Sequence, residues 1–214
     1  MNKNAIIVFF CLCLTGSSTF VCAAEQADLF KLPAPDTEAG MPLMRALKAR
    51  GSSREFSQKE LSAQTLSDLL WAGFGVSRAD GKRTAPSARN MQEIDIYVAK
   101  ADGLFRYNAQ ENALELIGAE DIREATGMQP FVKSAPVNLI YVFDPEKTGT
   151  TGAQADVWAA MDTGFIAENV YLFCASEGLA TVVRGMFDPG KLSKAMKLKD
   201  GRKITLTQTV GYPK

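Results

Sequence analysis

The segment from Ala153 to Glu177 constrains the fold of this chain more than any other. It contains no proline and closes at Gly178. Trp158, Met161, Phe165, Ile166, Val170, Phe173 and Cys174 are spaced so that apolar side chains cover more than one narrow stripe of a helix. Such a helix is roughly 37 Å long at 1.5 Å per residue. An apolar surface that wide makes it either the central core helix of its domain or a helix that also faces a partner subunit. Both roles require other elements packed around it. With 214 residues, 46% hydrophobic and 22% charged, the chain has the material for one domain with a substantial core.

The remaining pattern supplies those elements. Pro42, Leu43, Met44 and Leu47 predict a short helix stopped at Gly51, and "SAQTLSDLLWAGFG" predicts a second with Leu66, Leu69, Leu70 and Phe74 on one face. Ile94, Ile96 and Val98 alternate as a half-buried strand. "LFRYNAQENALELI" reads as a hairpin turning between Asn108 and Asn112. "EDIREATG" is expected to be a short helix, "PVNLIYVFD" a buried strand, "LATVV" a strand, Pro189 to Met196 a helix and "KITLTQTVGY" a last strand. Helices and strands are mixed, with an early hairpin and no βαβ rhythm, so the class is α+β.

The N-terminus is different in kind. Lys3, the apolar run Ala5 to Leu14 and the small residues of "FVCAAEQ" form the three-part pattern of a secretory signal peptide over residues 1–24, cut near Ala23 or Ala24; the alternative is an uncleaved anchor. Export implies a periplasmic or other extracytoplasmic destination. Residues 25–40, rich in Pro, Asp and Ala without a period, are expected to be an extended leader, and residues 41–214 the folded domain. Cys174 is then the only cysteine of the mature chain, which fits a buried structural thiol better than a reactive one.

Composition also removes functions. The 24 basic and 24 acidic residues are spread without blocks, leaving no electrostatic footprint for nucleic acid. The chain has no histidine, which excludes a Ser-His-Asp hydrolase and His-bearing zinc sites, and no standard nucleotide-binding glycine motif is present. If the chain is an enzyme, a bound cofactor carries its chemistry. Arg50, Ser52 and Arg54 alternate just past a helix end, so an extended backbone puts two guanidinium groups and a hydroxyl on one side. They read either as a solvated basic turn or as an anion site.

Four ordered motifs resolve that choice by resemblance. "RGSSREF" is similar to the R-x-S-x-R-x-F opening of the nitroreductase-like flavoproteins, and "APSARNMQ" to their APSAxNxQ loop. "DTGFIAENVYLFCASEGLATVVRGMFD" resembles their central helix and following strand, and "VGYP" their closing strand. The resemblance covers Met41 to Pro213. It implies the nitroreductase-like fold, a mixed, mainly antiparallel sheet flanked by helices with a long central core helix, and an FMN-binding homodimer with flavin at the subunit interface.

Within the family, "RTAPSA" and "IYV" look closest to the azoline oxidase branch (SagB-type, ThcOx-like dehydrogenases) of peptide-modifying clusters. Arg89-Asn90-Met91-Gln92 departs from that branch, and Thr150 and Thr151 stand where its Lys-Tyr pair aligns. By motif, Arg50, Ser52 and Arg54 are expected to hold the phosphate, ribityl chain and ring edge from one subunit. Pro86, Ser87 and Asn90 approach from the other, and Val183, Arg184 and Gly185 lie against the ring through backbone groups. Many relatives continue past "GYP" with basic residues; here the phosphate grip falls to Arg50, Arg54 and Lys214. The implied activity is an FMN-dependent oxidoreductase passing two electrons to a small acceptor such as a nitro compound or quinone. The implied donor, NAD(P)H, is cytoplasmic and so at odds with export. A non-catalytic flavin- or ligand-binding protein on the same fold is the alternative.

Overall fold

The computed structural model describes residues 28–214; the expected signal peptide lies outside the described residues. A seven-stranded, wholly antiparallel sheet is ordered β1-β4-β3-β2-β5-β7-β6. Its strands are β1 (Leu29–Lys31), β2 (Ile94–Lys100), β3 (Gly103–Asn108), β4 (Ala113–Gly118), β5 (Val137–Phe143), β6 (Ala180–Arg184) and β7 (Lys203–Gly211). The helices are α1 (Leu43–Ala49), α2 (Ala63–Phe74), the single-turn α3 (Pro145–Thr148), α4 (Ala153–Ser176) and α5 (Pro189–Ala195). The class is α+β, as expected.

Three layers follow from the strand alternation. Ile96 and Val98 of β2, Leu139 and Tyr141 of β5 and Val210 of β7 meet Leu69, Leu70 and Phe74 of α2 and Ile166, Val170 and Cys174 of α4 in the larger core. The opposite sheet face carries Tyr97, Ala99, Ile140 and Val142 against Leu192 of α5 and Met196. Every residue of β5 is therefore buried, which explains a sequence that is apolar or aromatic except at Asn138. Cys174 is fully buried and forms no disulfide among the described residues, and burial pushes its thiol up, away from the reactive thiolate form.

The long helix divides its wide apolar surface. Ala155, Ala159, Ile166, Ala167, Val170 and Cys174 enter the core, while Val157, Met161 and Phe165, spaced four apart, are 46%, 58% and 49% exposed on the outward side. Among the described residues no helix is long and apolar enough to cross a membrane.

Two expectations need correction. The described part of the expected leader, residues 28–40, is not merely extended and structure does not begin at Met41: β1 pairs with β4 through Leu29↔Glu115 to Lys31↔Ala113. The chain then crosses α2 and α4, where Ser67 Oγ and Asn112 Nδ2 donate to the Pro33 carbonyl (2.5 and 2.7 Å) and Met41 N–H donates to Ser176 Oγ (2.7 Å). Polar partners distant in sequence hold the segment, so no local period announces it. The stretch expected as a helix at "EDIREATG" is a 3-10 turn, Arg123–Thr126, too short to bury an apolar stripe.

Candidate flavin site

The first group of candidate residues assembles at the β6 edge of the sheet. α1 ends as Arg50 turns to extended backbone, and Ser53 N–H then donates to the Thr181 carbonyl (2.9 Å), laying the segment along β6. The organising side chain is Tyr171 of α4. Its hydroxyl accepts from Val183 N–H (2.9 Å), so the hydroxyl proton is left for Ser52 Oγ, also at 2.9 Å. The Arg50 guanidinium carbon lies 5.3 Å from the Tyr171 ring centroid, within cation–π range.

The chain end joins the same edge. Phe56 and Pro213 form an isolated bridge, and Ser57 N–H donates to the Tyr212 carbonyl (2.8 Å), placing Lys214 near the Arg54 turn. Arg50, Arg54 and Lys214 are exposed, and none forms an ion pair among the described residues. Three cations at one edge suit an anionic group. A Cβ built at Gly185 meets no atom within 4 Å, so packing within the chain does not demand glycine there; the face beside it is open.

Arg184 takes another course. Its guanidinium turns to the opposite face of β6, donating from Nη1 to the Thr126 carbonyl (2.7 Å) and from Nη2 to Asn138 Oδ1 (2.9 Å), and the residue is 4% exposed. Burial lowers its pKa to about 10. A Cβ at Gly127 would lie 2.0 Å from Nη1, so that glycine makes room for the guanidinium. Arg184 faces the open edge only through its backbone.

The second group forms a turn beside the N-terminal half of α4. Ser87 Oγ accepts from Gln92 N–H (2.9 Å), which closes the turn and leaves the hydroxyl proton free; Asn90 Oδ1 accepts from Gln92 Nε2 (3.2 Å), which leaves the Asn90 amide NH2 free. The Gln92 side chain also receives Arg83 Nε (2.7 Å) and donates to the Gly81 carbonyl (3.1 Å). Arg89, Asn90 and Gln92 all have positive φ, 53°, 57° and 52°, an uncommon cluster for residues other than glycine. Pro86, Arg89 and Asn90 are exposed, and Arg89 lies over the Trp158 ring at 5.4 Å. The turn is tied to α4 by Ala88 N–H donating to Asp162 Oδ2 (2.7 Å).

The structure therefore gathers Arg50, Ser52, Arg54, Val183, Gly185 and Lys214 at one edge but leaves Pro86, Ser87 and Asn90 apart. Their anchors on α4, Tyr171 and Asp162, are nine residues and roughly 13 Å apart along the helix. A groove of about 340 Å3 between residues 36–41 and α1, α2 and α4 shares no residue with either group. Sequence reasoning missed Tyr171 and Asp162. A tyrosine inside the otherwise apolar "NVYLFCAS" was the one available signal for the first, since a buried phenol needs a hydrogen-bond partner.

Comparison with known proteins identifies the family of the fold. The family model described as Nitroreductase matches residues 47–212. A candidate nitroreductase from Methanocaldococcus jannaschii is 30% identical over 198 residues, covering 84% of this chain and all of the relative. The crystal structure of a candidate nitroreductase from Ralstonia eutropha is 41% identical with a TM-score of 0.83, covering 89% of this chain and 92% of that one. The NADPH:FMN oxidoreductase of Vibrio harveyi, crystallised with NAD+, shares the fold at 18% identity and a TM-score of 0.62, over 80% of this chain and 68% of its own. The chain carrying the Tyr171-centred edge and the Asp162-anchored turn belongs to the nitroreductase family of oxidoreductases.

Proposed function

We propose that the protein is an exported, FMN-dependent oxidoreductase that acts as a homodimer on a small organic acceptor such as a nitro compound or quinone. The observation that carries this reading is the convergence of Arg50, Ser52 and Val183 on Tyr171 beside two further cations, Arg54 and Lys214, that no carboxylate of the described residues engages. The donor chemistry fits FMN: guanidinium and ammonium groups for the phosphate, a hydroxyl for the ribityl chain, and backbone groups on an open face for the ring.

Bound FMN supplies two-electron transfer. The chain's residues bind and orient. Arg50, Arg54 and Lys214 neutralise the phosphate, Ser52 is aligned by Tyr171, and the Val183–Gly185 backbone presents a flat edge. Ser87 and Asn90 keep a free O–H and a free NH2 because Gln92 occupies their acceptor atoms. Separation of the two groups along α4 fits a site completed by a second copy. The exposed Val157–Met161–Phe165 stripe and Leu43, Met44 and Leu47 of α1 are the apolar surface for that contact. NADPH is the donor in the name of the V. harveyi neighbour; for an exported chain another reductant takes that place. An azoline-dehydrogenase role ranks below this reading because Thr150 and Thr151 replace the Lys-Tyr pair.

The test is the visible spectrum of the purified mature chain before and after dithionite, NADH or NADPH without oxygen. A yellow protein bleached by dithionite supports the flavin reading. A colourless protein that takes up no added FMN refutes it and leaves the non-catalytic ligand-binding reading. Bleaching by dithionite but not by nicotinamides removes NAD(P)H as donor.

A further inference from the structure

Glu93 stands immediately before β2 and is fully buried, and neither of its carboxylate oxygens meets a donor. An ionised carboxylate in that position is costly. The carboxyl group it faces is that of Asp162, itself only 4% exposed. Two carboxyl groups make that contact only with a proton between them. The Asp162 carboxylate is simultaneously the acceptor for Ala88 N–H, the single hydrogen bond from the Pro86–Gln92 turn to α4 among the described residues. Three positive-φ residues make that turn one that must be held from outside.

We propose that Glu93 and Asp162 share one proton and together form a latch that fixes the Pro86–Gln92 turn on α4, making Glu93 a positioning residue for the flavin-facing loop. The functional part of this rests on the flavin reading; the latch does not. The charged groups facing Glu93 are Asp162 from α4 and Lys147 from α3. Lys147 is committed to Asp95 Oδ1 (2.6 Å) and the Gln92 carbonyl (3.3 Å), so it does not neutralise a second charge in the pair. Asp144 reaches Glu93 only by donating its N–H to the Glu93 carbonyl (2.9 Å), its carboxylate being paired with Arg202.

Burial first, and then Asp162, raise the Glu93 carboxyl to about 7. Opening the turn restores an ordinary acidic value, so protons favour the closed latch. Its hold is full under acidic conditions and is lost as pH rises to about 7, where the second charge appears.

Hydrogen exchange of the 86–92 amides, on the chain without added flavin and corrected for the intrinsic pH dependence of exchange, tests this between pH 5 and 8.5. Wild-type protection is expected to fall about tenfold per pH unit up to about pH 7 and then level off. Glu93→Gln, whose amide donates to Asp162 at every pH, is expected to give a flat profile. Asp162→Asn, whose carbonyl can accept from Ala88 while its NH2 donates to ionised Glu93, is expected to give a shallower decline than wild type, since Glu93 stays buried. A flat wild-type profile, or a decline that persists in Glu93→Gln, overturns the latch. FMN titrations at the same pH values separate the two claims. A pH-dependent latch in a chain that binds no FMN leaves the latch and removes the flavin role; FMN binding with a flat wild-type profile does the reverse.

Discussion

Replacing Tyr171 by Phe removes one oxygen atom and keeps the ring under Arg50, so the consequence can be worked from two hydrogen bonds. Val183 N–H, partly buried at the end of β6, loses its acceptor and has no other in reach. Leaving such a donor unsatisfied costs about 1–3 kcal/mol. Ser52 is exposed, so water replaces its lost bond at little cost. The expected loss is about 2 kcal/mol. With a urea m-value of about 2 kcal/mol/M, the midpoint falls by about 1 M at unchanged slope. Ser52→Ala, which leaves Tyr171 bonded to Val183, should cost less than about 0.5 kcal/mol. The assay is urea unfolding of wild type and both variants at one protein concentration. A Tyr171→Phe midpoint equal to wild type, or a Ser52→Ala loss as large, refutes the assignment of the tyrosine hydroxyl as the support of the strand end.

Other outcomes follow from groups described above. Arg54→Ala should weaken FMN binding roughly tenfold or more by loss of one charge-assisted contact, read by flavin fluorescence titration; unchanged flavin content per subunit excludes its phosphate role. Phe165→Asp, on the outward face of α4, should shift the chain to monomer in sedimentation, with flavin lost alongside. Tyr141→Phe strands Gln208 Oε1, which accepts the Tyr141 hydroxyl at 2.6 Å in a fully buried site, and should lower stability by about 1–2 kcal/mol in the urea assay. Global stability should fall by about 3 kcal/mol between pH 4.5 and about 7, because folded Glu93 binds its proton more tightly than the unfolded side chain. Glu93→Gln removes that slope, which paired unfolding curves at the two pH values will report.

What the sequence discloses here depends on how local the cause is. α2 and α4 were legible because side-chain period and flanking residues lie within each segment, and the β3–β4 hairpin because its turn residues adjoin its strands. β1 was not, since a three-residue strand has its partner more than eighty positions away. At the site, the motif residues could be listed from the sequence, but not which of their atoms are free. Ser87 spends its acceptor on Gln92, and Arg184 spends its guanidinium on Thr126 and Asn138. Both facts come from partners brought together only by folding. The Glu93–Asp162 contact joins residues sixty-nine positions apart.

The brief β1 pairing has a practical side. β4 would otherwise stand at the border of the sheet with free N–H and C=O groups, which is the template on which strands of separate molecules add to one another. A chain trimmed to Met41, where the helical period begins, would uncover that border. It would also lose the carbonyl of Pro33 that Ser67 and Asn112 both engage. Such a truncation should self-associate edge to edge and leave the soluble fraction, even though every residue of the proposed flavin site is retained.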